Sequence, residues 1–107
     1  MENPVQQNID LWEIWIEFDP NEEEYFGILY IHGEVQADQK WNTVPVKKLS
    51  GLSNHLVLQL PSRTTNNNYT KEVLYSEPIR NLNQYTSVSV YAGIELIISS
   101  NEIEVLV

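Results

Sequence analysis

Apolar and polar residues alternate along most of the chain with a period of two rather than 3.6, which is the signature of half-buried strands. In "IDLWEIWIEFD" the even positions Trp12, Ile14, Ile16 and Phe18 form one apolar face. The odd positions Ile9, Leu11, Glu13, Trp15, Glu17 and Asp19 form a mixed one. "DPNEEE" supplies Pro20 and Asn21 for a turn. "YFGILYIHGEV" is apolar on both parities, as expected of a central strand covered on both sides or of a strand at an interface. A short edge strand fits near Val44–Lys47, where Pro45 cannot donate to a ladder.

The second half reads more regularly. "HLVLQL" turns Leu56, Leu58 and Leu60 inward and His55 and Gln59 outward. "SRTTNNN" has the composition of a polar loop, and "YTKEVLYSE" sets Tyr69, Val73 and Tyr75 on one side. "PIRNLNQY" reads as a connection packed by Ile79 and Leu82. In "TSVSVYAG" Val88, Val90 and Ala92 share one face, Ser87, Ser89 and Tyr91 the other, and Gly93 marks a bulge or bend. "IELIIS" and "EIEVLV" flank Ser100-Asn101, which reads as a tight hairpin with Ile94, Leu96 and Ile98 facing Ile103, Val105 and Val107.

Seven or eight strands at spacings of about ten residues, with no helix longer than two turns, predict an all-β chain. The expected architecture is an antiparallel β-sandwich, with a small β-barrel as the alternative. The short connections predict antiparallel pairing. At 107 residues, positions 1–107 form a single domain large enough for one modest core.

Composition adds a charge map. Residues 1–39 hold ten acids and no Lys or Arg, whereas residues 40–107 hold five acids and six bases, so nearly all of the net charge of −9 lies in the first part. Six of the eleven aromatics precede residue 31. A concentrated negative field disfavours nucleic acid and anionic lipid as partners, because both are polyanions. No run approaches the ~20 apolar residues of a membrane-spanning helix. The first residues lack the basic and apolar regions of a signal peptide, and there is no cysteine for disulfides or thiolate metal sites. The expectation is a cytoplasmic protein.

The chemistry expected of the chain is mostly negative. His32 and His55 lack a second histidine at ligand spacing and read as surface imidazoles rather than a metal pair. "DPNEEE" offers Asp19, Asn21, Glu22, Glu23 and Glu24 as oxygen ligands, but Glu24 stands where an EF-hand loop needs glycine, so it reads as a solvated acidic turn. There is no Gly-x-Ser-x-Gly, no histidine near a plausible serine and no glycine-rich phosphate loop. Glu13 and Glu17 project from one strand face rather than across a cleft. "NYT" at 68–70 matches a glycosylation sequon and reads as coincidental. No catalytic residue, cofactor or metal is expected.

Trp15 remains. It sits between Glu13 and Glu17, opposite the apolar face, and is either buried with Ile9 and Leu11 or an exposed aromatic ringed by acids. Aromatic anchors with charged rims are typical of protein interfaces. The reading is therefore a non-catalytic protein-interaction module, with Glu13, Trp15, Glu17, Glu22, Glu23 and Glu24 as the binding surface and a basic protein as the partner. Self-association as a two-fold dimer is also expected, from the two-sided apolar strand 25–35 and an unguarded final strand. The alternative is a carbohydrate- or small-ligand-binding β-sandwich. An enzyme with scattered carboxylates ranks third.

Overall fold

The computed structural model describes residues 12–36, 44–49, 54–62 and 70–106, and contains strands but no helix among them. Eight strands form two four-stranded sheets packed face to face. They are β1 (Glu13–Phe18), β2 (Gly27–Gln36), β3 (Lys47–Leu49), β4 (Asn54–Leu60), β5 (Thr70–Ile79), β6 (Tyr85–Ala92), β7 (Glu95–Ser100) and β8 (Glu104–Leu106). Sheet A has the order β5-β2-β1-β8 and sheet B the order β3-β4-β6-β7. The sandwich expected from the period-two pattern is the observed fold.

Alternation places the core. Ile16, Leu29, Ile31, Val73 and Ile79 project from sheet A, and Leu56, Leu58, Leu60, Val88, Val90, Ile97 and Ile98 from sheet B. Trp12 closes one end of this cluster with its indole laid on Gly33, where a Cβ would collide with the ring. On β2, Leu29, Ile31 and Val35 enter the core, while Ile28, Tyr30 and His32 stand on the other face. The strand's two-sided apolar character thus reflects a central position between β1 and β5.

Pairing departs from the sequence expectation at several points. Of the six described strand pairs, β1·β8 and β4·β6 are parallel and the other four antiparallel. Both parallel pairs arise because the chain visits the other sheet before returning beside an earlier strand, so the returning strand is not the second arm of a hairpin. Ser100-Asn101 is likewise not a hairpin. β7 pairs with β6, the chain crosses between sheets at residues 100–103, and β8 pairs with β1.

Ile94 and Leu96 are exposed rather than core-facing. Ile94 sits at the tip of the two-residue β6–β7 turn, in which Gly93 adopts φ +62, as the first position of a II′-type hairpin turn demands. The register then shifts, with Val90 opposite Ile98 and Tyr91 opposite Leu96, so the extra residue Ile97 joins Ile98 in the core. Phe18 is half-exposed and packs on Phe26 across the neck of the β1–β2 loop. Leu82 lies exposed on the β5–β6 connection rather than packing it. Ile9, Leu11, Val107 and residues 63–69, Tyr69 among them, lie outside the described residues.

Candidate functional site

The outer face of sheet A carries the residues singled out by the sequence. β1 places Glu13, Trp15 and Glu17 there by alternation, opposite His32, Tyr30 and Ile28 of β2. Trp15 is half-buried, but not in the core. Its ring stacks on Tyr30, with centroids 5.2 Å apart and planes 18° from parallel. Its indole Nε1–H donates to Glu17 Oε1 at 3.4 Å. Ile28, Leu74 and Leu106 extend this apolar centre across the sheet, each at least partly open to water. Glu13, Glu17, Glu34, Glu72 and Glu104 surround it, all exposed, and His32 Nε2 meets Glu72 Oε1 at 2.8 Å. The face is thus an aromatic and aliphatic patch with a carboxylate rim.

Glu22, Glu23 and Glu24 occupy the β1–β2 loop, exposed and just beyond the Glu17–Ile28 row. The loop holds its own shape. Asp19 Oδ1 accepts from the Asn21 amide at 3.0 Å and Asp19 O from the Glu22 amide at 3.3 Å, an Asx-type turn. The three glutamates therefore border the patch without joining it.

Topology, like sequence, segregates charge. β1, β7, β8 and the 100–103 crossover carry Glu13, Glu17, Glu95, Glu102 and Glu104 and no Lys or Arg. Lys47, Lys48, Lys71 and Arg80 lie on or beside β3 and β5, the strands at the opposite edge. A cavity of about 420 Å³ opens on the acidic side, lined by Trp12, Glu13, Ile14, Trp15, Glu104 and Leu106.

Two polar clusters escaped the sequence reading. At the β3/β5 edge, Glu77 accepts hydrogen bonds from Tyr75 Oη (2.5 Å), Tyr85 Oη (2.7 Å), Gln84 Nε2 (3.3 Å) and Lys48 Nζ (3.1 Å). Burial works to raise the Glu77 pKa. The hydrogen bonds from Tyr75, Tyr85 and Lys48, with the Lys48 charge, outweigh it and hold the carboxyl below its ordinary range. Burial first, then the bond to Glu77, pushes the Tyr75 phenol far up. Hydrogen bonding to Tyr85 and Glu77 raises Lys48. Lys48 and Glu77 belong to opposite sheets, so the pair ties the two layers together. Parity would have set Tyr85 outward with Ser87, but an extra residue, Thr86, between the Asn54–Tyr85 and His55–Ser87 pairs turns it inward.

On the outer face of sheet B, His55 contacts Ser87 Oγ through Nδ1 and Ser89 Oγ through Nε2 at 3.1 Å, and Ser89 also meets Ser99 at 3.1 Å. The parallel β4·β6 pairing brings this histidine to serines 32 and 34 positions away, contrary to the sequence reading that no histidine neighbours a serine. Ser89 is 5% exposed, so its hydroxyl serves the network rather than facing solvent. Among the described residues, no group of three or more His, Asp or Glu is placed to hold a metal ion.

Comparisons with known protein families, with curated proteins and with solved structures find no match.

Proposed function

We propose that the domain is a non-catalytic interaction module that binds a basic protein through the outer face of sheet A. The observation that carries this reading is Trp15 stacked on Tyr30 on a sheet face that no other described strand covers. A half-buried aromatic pair with carboxylates at its margin suits an anchor that becomes fully desolvated under a partner, with a charged rim that selects its sign. The absence of Lys and Arg from β1, β7 and β8 supports a cationic partner. So does the loop bearing Glu22, Glu23 and Glu24, whose field steers cations over ~10 Å at 0.1 M salt.

The competing classes have less support. Trp15 and Tyr30 spend a ring face on each other, whereas a sugar platform presents its faces to the ligand. His55 spends both ring nitrogens on serine hydroxyls, so no carboxylate orients it as the base of a triad, and the Ser89 hydroxyl is buried. No helix among the described residues is long and apolar enough to cross a membrane. A cytoplasmic location belongs to this proposal; with no cysteine, the chain is compatible with a reducing compartment and does not require one.

Self-association is a second reading, favoured by β8 standing at the edge of sheet A with one side unpaired among the described residues. Sedimentation at tens of micromolar tests it, and a dimer is expected. The β8 edge carries Glu104 and Leu106 of the same acidic face, so a second copy and a basic partner would compete for it.

The main reading is tested by NMR titration with a lysine- and arginine-rich peptide. Amide signals of Glu13–Glu17 and Ile28–His32 should move, and added salt should reverse the shift. Shifts confined to other strands would contradict the reading.

A further inference from the structure

We infer that the cleft between β1 and β8 is a pocket for a single lysine or arginine side chain, carried on an extended backbone segment of the basic partner. This rests on the interaction-module reading above and names where that partner's cation goes.

Strand geometry creates the cleft. β8 runs parallel to β1 but pairs only with Trp15, Ile16 and Glu17. Preceding Glu104, the chain leaves β1 to reach β7 in the other sheet, so the two strands diverge as a fork. Glu13 and Ile14 are left with no partner strand on that side among the described residues. Two cavities occupy the fork. The larger, about 420 Å³, lies between Trp12–Trp15 and Glu104/Leu106. The smaller, about 230 Å³, lies between Trp12, Ile14 and the Ile98–Glu102 crossover. Trp12 and Ile14 line both.

Two independent features specify the ligand. The first is charge: Glu13 and Glu104 line the larger cavity and Glu102 the smaller, with no Lys or Arg among the lining residues. Trp12 and Trp15 line the larger cavity together with these carboxylates, a setting whose charge favours a guanidinium or ammonium. The second is an unmet donor. Trp12 is 7% exposed, and its indole Nε1–H is the buried side-chain polar atom among the described residues that lacks a partner. A buried donor without an acceptor costs free energy, and a ligand carbonyl recovers it once the indole shifts toward the cavities that Trp12 lines. A cation alone offers no acceptor. A peptide segment offers both, with its basic side chain for the carboxylates and its backbone carbonyl for the indole. The open stretch of β1 can also pair with such a segment as an added strand.

The test uses the full chain labelled with nitrogen-15 and a blocked seven-residue peptide of Val and Thr with one central arginine. The same peptide with citrulline, an uncharged isostere, is the control. The three tryptophans give three indole signals, assigned with Trp15→Phe and Trp41→Phe. The expected result is a saturable shift of the Trp12 indole signal with the arginine peptide, and binding at least ~10-fold weaker for citrulline or for Glu13→Gln/Glu104→Gln, since a charge-assisted contact is removed. A Trp12 signal that stays still while Trp15 and the β1–β2 amides move would overturn the cleft assignment and leave the outer-face reading standing. Silence at all of these positions would overturn both. An equal response to arginine and citrulline would show that the cleft does not select charge.

Discussion

Trp15 and Tyr30 face each other directly across β1 and β2, their rings 18° from parallel and 5.2 Å apart. The pair stands on the side of sheet A away from the core, so Trp15 contributes to the surface more than to the fold. Trp15→Ala should therefore cost about 1–2 kcal/mol, the scale of one aromatic pair plus partial burial. Urea unfolding is expected to give a folded variant with a slightly lower midpoint. Global unfolding would make Trp15 a core residue and remove it from the binding surface.

Leu58 has no exposed surface and projects from β4 into the middle of the sandwich. Leu58→Ala should cost ~2–5 kcal/mol through lost burial and the cavity left behind. A urea midpoint equal to that of the unmutated protein would contradict the described register of β4.

Gly33 and Trp12 form a second matched pair. A methyl group at residue 33 would meet the indole, so Gly33→Ala should destabilise by about 1–3 kcal/mol through overpacking. Trp12→Phe in the same chain should relieve part of that cost. A double-mutant cycle with no coupling between the two sites would refute the contact.

Glu77 sets a pH dependence. Its folded pKa lies below the ordinary carboxylate value of about 4.3, so the folded state binds protons less readily than the unfolded chain. The stability it contributes is present above the unfolded pKa and is lost as pH falls through the folded one. Glu77→Gln should lower stability at neutral pH by ~1–3 kcal/mol, because four donors lose a charged acceptor. It should also make unfolding less dependent on pH on the acid side. Denaturant titrations from pH 7 down to pH 3 check this, and an unchanged acid slope would show that another carboxylate governs it.

The contrast between Leu58 and Glu77 marks what the sequence made legible. "HLVLQL" alternates without interruption, and period-two burial is local, so Leu56, Leu58 and Leu60 were assignable to the core from the pattern alone. The Glu77 cluster joins β5, β6 and β3, and it depends on one extra residue at Thr86 that reverses the parity of Tyr85. A single bulge is invisible to a count of alternating residues. The same limit explains Leu96, which the alternating pattern set inward with Ile98 and which the β7 irregularity turns out, bringing Ile97 in instead. Strand partners were harder still. Ser100-Asn101 has a hairpin composition, yet β7 and β8 belong to different sheets, since pairing is decided by which edges the finished sandwich leaves free. At the candidate site, the alternation that places Glu13, Trp15 and Glu17 on one face was readable. Tyr30 as the stacking partner required the β1–β2 register, and the fork at β8 required the crossover.

The central claim is that this acidic, aromatic face captures a basic protein, and one comparison tests it most directly. The native host's extract is passed over the immobilised chain, and the retained partner is measured kinetically against three proteins: unmutated, Trp15→Ala, and Glu22→Gln/Glu23→Gln/Glu24→Gln. The account predicts a basic partner whose dissociation from Trp15→Ala is about 30-fold faster, equivalent to ~2 kcal/mol. It predicts slower association with the triple variant and a shallower salt dependence, with dissociation little changed. A partner that binds all three proteins with the same rates and the same salt slope would contradict it.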